Sequence, residues 1–264
     1  MTRTSLDFEI APAVYYKFNT SHLCPGKCAR IRAFPPGLQM IAGSPDFTRR
    51  GQSAPQSVTY KCVGNPGLDP YSFEDWSFYK RVKCPGGIRA ELTFPQCWDG
   101  KNLAPYFVVG KDGKTVKKSH VAYSGGSGCP KEYPVKILQL FYEFLFYTDE
   151  FWEGSRPPHL VWATGDETGF GFHGDFLAGW DEKVLQQAID QCDFTESHPY
   201  TGINSCPPLQ PHLSFPPGAT ELQNMAAMAK IKRCNMRVSP PRETVQGTIS
   251  YLRGSPQKYG HGKV

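Results

Sequence analysis

Short apolar runs, bounded by glycine, proline and other turn residues, recur along most of the chain. Runs of about four to eight residues in which apolar and polar positions alternate are typical of β-strands. In the first such run, Val14, Tyr16 and Phe18 are expected to share one face of a sheet. The predicted strands are Ala13–Phe18, Ser57–Val63, Gly87–Phe94, Tyr106–Val109, Ser119–Tyr123, Pro134–Tyr147, His159–Thr164 and, from a weaker pattern, Thr248–Leu252.

A helical pattern of apolar positions begins after Asp181, whose side chain can cap the first turn, and ends near Cys192. Thr220 and Gln223 have the spacing of a capping box, which predicts a second helix through Met225–Ala229. The apolar residues of the first helix recur on one face and are Val184, Leu185, Ala188 and Ile189.

The composition is that of a folded domain with many turns. Of the 264 residues, 39% are hydrophobic and 20% are charged, and 26 glycines and 24 prolines favour turns over long helices. We therefore predict a β-rich fold, all-β or α+β, with an antiparallel sheet or sandwich-like single domain and one or two short helices. Residues 1–237 are expected to form this domain, and residues 238–264 a flexible basic tail.

The charge and hydropathy of the chain argue against two classes of partner. The net charge of +5 is too small an excess to indicate nucleic acid. No stretch approaches the roughly 18 consecutive apolar residues of a membrane-spanning helix. Neither nucleic acid nor a membrane is therefore expected as a partner. The segment Met1–Ile10 has no apolar core typical of a signal peptide.

Nine cysteines are dispersed through the chain, mostly in glycine- and proline-rich contexts, and none form a Cys-x-x-Cys pair. Such cysteines are typical of disulfides formed in an oxidising compartment, and the alternative is a cytosolic protein with nine reduced thiols. The loops that they flank predict three disulfides: Cys62–Cys84, Cys97–Cys129 and Cys192–Cys206. An extracellular location is expected. Because no signal peptide is visible, we expect sequence upstream of Met1 to be missing and the N-terminal part of the domain to be incomplete.

The segment Trp162–Asp181 holds the densest group of residues that could carry chemistry. Its glycines let a ligand approach the backbone closely, and aromatic side chains beside carboxylates and an imidazole can form a sugar-binding or small-ligand cleft. On a strand, His173 and Asp175 would share one face, whereas a turn at Gly174 is an equally good interpretation. In the alternative without a site, Asp166 or Asp175 accepts backbone hydrogen bonds in a glycine-rich turn and His173 packs.

Three more polar residues are candidates for the same site. Asp99 lies in the motif Cys-Trp-Asp-Gly-Lys-Asn, and His120 lies in a strand-like run, where it is either at a cleft or a half-buried packed histidine. Glu143 lies among apolar residues, where an unpaired carboxylate has a raised pKa that suits a general acid, unless the strand exposes it to water.

We therefore predict a single cleft in which His173, Asp175 and His120 converge, with Asp99 and Glu143 near it and Asp166 as a further candidate. These groups would act as an acid–base pair without metal, or carboxylates would hold a hard divalent cation with imidazole support. The aromatic side chains expected to bind the ligand are Trp98, Trp162, Phe172 and Trp180.

The segment Val109–Lys118 carries four lysines and one aspartate, and Asp112-Gly113 is a hairpin turn signal. A solvated hairpin tip is the preferred interpretation. A patch that binds an anionic ligand is the alternative.

Several long motifs occur in an order that resembles one known family. They are FPPGLQMIAGSP, GGIRAELTFPQCWDGKN, SHVAY, CPKEYPVKILQLFYE, GDETGFGFHGDFLAGWD with LQQAIDQC, and NSCP. Together they resemble an uncharacterised secreted fungal family, a domain of unknown function often found beside WSC carbohydrate-binding modules. The resemblance covers roughly Arg30–Cys234.

The resemblance implies a secreted, disulfide-bonded protein that acts on or binds extracellular or cell-wall glycan. An enzyme of this kind would be a glycan hydrolase or lyase; the alternatives are a non-catalytic surface or binding protein and an inactive, truncated member. The chain departs from the family pattern in two places. A His-x-His motif expected before Ala13–Phe18 is absent, and Leu103–Lys118 is longer than the usual link between CWDGKN and SHVAY.

Overall fold

The structure is a computed structural model, and it describes residues 10–17, 30–54, 57–68, 71–125, 128–148, 152, 154–155, 157, 159–192 and 206–209. The strands and helices in this part of the chain are β1 (Ile10–Lys17), β2 (Gln39–Gly43), β3 (Val58–Cys62), a 3-10 helix (Ser77–Lys80), β4 (Ile88–Thr93), β5 (Cys97–Trp98), β6 (Tyr106–Val109), β7 (Thr115–Lys118), β8 (Val121–Ala122), β9 (Val135–Lys136), β10 (Gln139–Phe146), β11 (His173–Leu177) and α1 (Glu182–Gln191). This confirms the predicted β-rich fold with antiparallel sheets.

The largest sheet has four antiparallel strands in the order β1-β10-β4-β3. Apolar residues at alternate positions of β4, such as Ala90 and Leu92, are buried on its inner face. The intervening residues Arg89 and Glu91 lie on the outer face. The core of the protein therefore lies on one side of this sheet.

A two-stranded ribbon of β2 and β11 packs against that inner face. A Cβ added at Gly174 of β11 would lie 2.6 Å from Leu92 of β4 and 3.7 Å from Tyr142 of β10. A Cβ at Gly43 of β2 would lie 3.0 Å from Val58 of β3. Strand β11 thus lies over β4 and β10, and β2 lies toward β3. Among the described strands, β11 pairs only with β2, and the inward-facing Val14 of edge strand β1 is 50% exposed.

Smaller elements surround this core. Strands β8, β5 and β9 form a three-stranded sheet, and β6 and β7 form a separate hairpin. Helix α1 begins where predicted, because the Asp181 carboxylate accepts hydrogen bonds from the backbone N–H groups of Lys183 and Val184. No helix among the described residues is long and apolar enough to cross a membrane.

All three predicted disulfides are present. Cys62–Cys84 joins the end of β3 to the turn before β4, Cys97–Cys129 closes the segment that contains β6 to β8, and Cys192–Cys206 follows α1. Disulfides of this number are consistent with the expected extracellular location.

Two predicted strands differ from the structure. The run His159–Thr164 is not a strand: its Trp162 side chain packs on the core while its backbone enters a turn, in which the Gly165 N–H donates to the Trp162 carbonyl. The run Pro134–Tyr147 forms two strands, since the chain leaves β5 after Lys136 and pairs with β1 and β4 from Gln139.

Other elements fall outside the predictions. Strands β2, β5 and β11 were not expected, and each pairs with a strand that lies close to it only in the fold, whereas β7 completes the hairpin indicated by Asp112-Gly113. The second helix from Thr220, the strand Thr248–Leu252 and the tail 238–264 lie outside the described residues.

Replacement of Gly174 by alanine tests how closely the ribbon approaches the sheet. The added methyl group overlaps Leu92, so the ribbon or the sheet must shift, and we expect a loss of about 1–3 kcal/mol in the free energy of unfolding. Urea unfolding with disulfides intact measures this loss. Gly179→Ala is the control, because nothing lies within 4 Å of its added Cβ. An equal effect of the two substitutions would contradict the close contact.

Candidate functional site

Asp99 and His120 are neighbours across two paired strands. Strand β5 pairs with β8, and just beyond the ladder the Asp99 N–H donates to the His120 carbonyl at 3.0 Å. The Asp99 carboxylate accepts hydrogen bonds from the backbone of Lys101 and from the backbone and side chain of Asn102. Burial alone would raise the pKa of Asp99, but these hydrogen bonds outweigh it and the pKa lies below its usual value. Its oxygens therefore hold the local turn.

The His120 side chain is buried, with 1% of its surface exposed. Its Nε2 lies 2.6 Å from the Gln39 carbonyl and must donate to it, because a carbonyl oxygen only accepts. Nδ1 is buried without a hydrogen-bond partner among the described groups. Burial lowers the pKa of His120, more than the Gln39 carbonyl and Asp99 raise it. In this geometry His120 joins its own loop to the first residue of β2.

His173 and Asp175 lie on strand β11 and share one face of it. They point away from the four-stranded sheet, toward which Gly174 and the buried Phe176 point. Nδ1 of His173 donates to the Gly171 carbonyl at 3.0 Å, so Nε2 keeps its lone pair in the neutral ring. His173 can therefore accept a hydrogen bond or a proton from a ligand.

Asp175 lies within electrostatic reach of Tyr142, an aromatic residue of the four-stranded sheet. Burial raises the pKa of Tyr142, and the nearby Tyr16 and Asp175 raise it further, which places these three polar groups within electrostatic reach of one another. The Tyr16 ring contacts Trp180 edge to face, with ring centroids 5.4 Å apart. Tyr16, Tyr142 and Trp180 are half-buried and Asp175 is exposed. We call these four residues the aromatic shelf; His173 lies beside it on β11, about 7 Å from Asp175 along the strand.

The structure does not bring all the predicted residues into one cleft. His120 contacts Gln39, the first residue of β2, whereas His173 pairs with Gly43, the last. The two positions are four residue steps apart on an extended strand, which is about 13 Å. His120 and His173 therefore lie near opposite ends of β2, and the structure does not bring them into one cleft.

Glu143 lies on the outer face of the four-stranded sheet, opposite the side that carries the shelf. It is directly across from Glu91 of β4, which is buried. Arg89 bonds Glu91 at 2.7 Å and lies 3.5 Å from Glu143, and the Thr59 hydroxyl donates to Glu91. On β1, burial lowers the pKa of Lys17, although both glutamates act to raise it. Glu143 thus belongs to a charge network that the sequence did not indicate.

Asp166 holds the glycine-rich turn that leads into β11. Its carboxylate accepts hydrogen bonds from the backbone N–H groups of Thr168, Gly169 and Gly171. These bonds place Asp166 in the role of a turn residue, which is the alternative considered for it from the sequence.

Of the four aromatic residues expected to bind ligand, only Trp180 lies on the shelf. Trp162 stacks on Phe172 with centroids 4.7 Å apart and on Trp76 at 5.0 Å, within the core. Trp98 packs against the core and donates its indole N–H to the Asn102 carbonyl.

Residues that could hold a metal ion are not grouped in the described part of the chain. No three side chains of histidine, cysteine, aspartate or glutamate converge there. The two tyrosines of the shelf were not among the predicted site residues. Tyr16 was expected on one face of its strand with Val14, but its nearness to Tyr142 depends on the pairing of β1 with β10, in which Val14 lies opposite Tyr142.

The buried imidazole of His120 predicts a stability that depends on pH. Its folded pKa lies below the 6.5 of a free histidine, so the unfolded chain binds a proton first as the pH falls. The stability is therefore complete above about pH 6.5 and is lost as the pH falls through the folded pKa. Urea unfolding at pH 7.5 and 5.0 measures this dependence. Between these two pH values the wild type should lose more free energy of unfolding than His120→Gln does.

His159→Gln is the control for that measurement, since His159 is an exposed histidine with Glu167 at 3.4 Å. Its free energy of unfolding should fall between pH 7.5 and 5.0 by nearly as much as that of the wild type. If His120→Gln instead lost as much stability at pH 5.0 as the wild type, His120 would not be the group responsible.

Comparison with known proteins identifies a family and no activity. A family model described as a domain of unknown function, DUF1996, matches residues 2–180, which include every predicted catalytic and ligand-binding residue. A search of curated proteins found no match, and a search of solved structures found none either. The matched segment spans more than half of the 264 residues. The chain therefore belongs to the DUF1996 family of domains of unknown function.

Proposed function

We propose that this protein is secreted and binds extracellular or cell-wall glycan on the aromatic shelf. The three disulfides support an oxidising compartment. The resemblance of its motifs to a fungal family found beside WSC carbohydrate-binding modules supports the class of ligand. The observation that carries the proposal is the edge-to-face contact of the half-buried Tyr16 and Trp180, with Tyr142 and the exposed Asp175 within electrostatic reach of each other.

The chemistry of the shelf suits a sugar ring. Half-buried aromatic rings leave part of their apolar surface accessible, and a pyranose ring has an apolar face of its own. The Tyr142 hydroxyl, the Asp175 carboxylate and Nε2 of His173 supply hydrogen-bonding groups for sugar hydroxyls. A few polar groups beside a mainly aromatic surface are typical of small-ligand sites.

The arrangement supports binding more than hydrolysis. Glycosidases generally use two carboxylates about 5–10 Å apart, on either side of the scissile bond. Asp175 is the one carboxylate among the four residues that define the shelf. The directly opposed pair Glu91 and Glu143 lies on the other face of the sheet, where Arg89 forms ion pairs with both.

Trp180→Ala and Asp175→Asn test this proposal. Wild-type protein should bind soluble β-glucan, mannan or chitin oligosaccharides in affinity electrophoresis and calorimetry. Each substitution should lower the affinity for glycan about tenfold or more. Trp180→Ala removes a stacking surface, and Asp175→Asn removes a charge-assisted hydrogen bond. Asp175 is exposed, so Asp175→Asn should change the free energy of unfolding little. Trp180 packs against the core, so Trp180→Ala should lower it, and glycan binding is compared at a temperature where circular dichroism shows both variants folded.

Tyr71→Ala and Asp46→Asn are the matched controls. Tyr71 is 60% exposed and Asp46 is exposed, and neither belongs to the shelf. Both should bind glycan as the wild type does. The proposal would be overturned if no glycan bound the wild type, or if the controls and the shelf variants lost affinity equally.

A further inference from the structure

The β6–β7 hairpin, residues 106–118, forms a two-stranded ribbon of its own and pairs with no other described strand. Its turn is well defined: the Gly110 N–H donates to the Lys114 carbonyl, and Asp112 accepts from the Lys114 N–H. All four residues of β7 are exposed, and on β6 Phe107 and Val109 are exposed whereas Tyr106 and Val108 are half-buried.

Large apolar side chains on this hairpin are exposed. Phe107 is 68% exposed, Val109 is 71% exposed and Val116 is 46% exposed. Four lysines accompany them: Lys111, Lys114, Lys117 and Lys118. The one acidic residue of the hairpin, Asp112, lies 3.8 Å from Lys114. Exposed apolar side chains among four lysines and one aspartate indicate a surface for a negatively charged partner.

The register of the hairpin pairs aromatic rings with lysines. Tyr106 lies directly opposite Lys118, and Phe107 lies directly opposite Lys117. Directly opposed residues point to the same face, with Cβ atoms about 4.5–5.5 Å apart. Because Tyr106 and Phe107 are adjacent in sequence, each face of the ribbon carries one pair of an aromatic ring and an ammonium group.

We propose that this hairpin binds an acidic polysaccharide, one whose sugar units carry carboxylate or phosphate groups. An acidic sugar has an apolar ring face beside an anionic group, which matches a ring beside an ammonium. Lysines on both faces and at the turn suit a flexible chain that passes around the ribbon. A lipid bilayer is planar and would meet one face only, which leaves half of the charges unused.

This inference rests on the proposed function in one respect, that the ligand is a glycan, but it uses different residues. The test is binding of polygalacturonate, an acidic polysaccharide, in affinity electrophoresis at low and high salt. The double variant Lys117→Gln with Lys118→Gln should bind about tenfold more weakly at low salt, and the difference should shrink at high salt, where exposed charges are screened. Phe107→Ala should weaken binding at both salt concentrations.

Lys101→Gln with Lys131→Gln is the charge-matched control, because both residues are exposed and lie outside the hairpin. It should bind polygalacturonate as the wild type does. The shelf variant Trp180→Ala separates the two proposals. It should lose binding to neutral glycan and keep binding to polygalacturonate. The double lysine variant of the hairpin should lose binding to polygalacturonate and keep binding to neutral glycan.

Three results would overturn the inference. One is the absence of polygalacturonate binding by the wild type. Another is equal weakening by the control and hairpin variants. The third is hairpin-dependent binding to phosphatidylserine vesicles or to oligothymidylate with none to polygalacturonate, which would assign the surface to a membrane or to nucleic acid.

Discussion

The close contact of β11 with the four-stranded sheet is the constraint on which the candidate site depends. The contact needs a residue without a side chain at position 174, since a methyl group there would meet Leu92 at 2.6 Å. With β11 held over β4 and β10, the inner face of β1 is left partly uncovered. Tyr16 and Tyr142 remain partly accessible near Asp175 because the ribbon does not extend over this edge of the sheet.

Polar residues that looked catalytic in the sequence hold this ribbon in place. His120 bonds the carbonyl at the start of β2, and Asp166 closes the turn that leads into β11. Burial of such groups is favourable only when they are hydrogen-bonded, so they fix the backbone to which they bond. The polar groups that remain available to a ligand are His173 and Asp175, which point away from the sheet.

Charge has different consequences in different parts of the molecule. On the outer face of the sheet, Glu91 is buried, forms an ion pair with Arg89 and accepts a hydrogen bond from Thr59. Its charge is therefore balanced within the fold. The lysines of the β6–β7 hairpin are exposed, and a single aspartate opposes them. Of these two groups of charged residues, the hairpin lysines are the ones whose charge is available to a partner.

Local pattern determined much of the fold. Alternation of apolar and polar residues predicted β1, β3, β4, β6 and the main part of β10, and the capping carboxylate of Asp181 predicted α1, because these elements depend on neighbours in sequence. The three disulfides were likewise predictable from the loops that their cysteines flank. Strand β11 escaped prediction because Gly174 interrupts its pattern, and the reason for that glycine is Leu92, a residue far away in sequence.

The candidate site was decided by tertiary structure. The sequence indicated His173, Asp175 and Trp180 through an unusual density of glycine, aromatic and polar residues. It could not show that Trp162 and Phe172 stack inside the core, since a ring that binds a sugar and a ring that packs on another ring have the same sequence signature. The approach of Tyr16, Tyr142 and Asp175 requires pairing of β1 with β10 and docking of β11 over β10, and such contacts between distant segments are set by the packing of whole faces rather than by any local pattern.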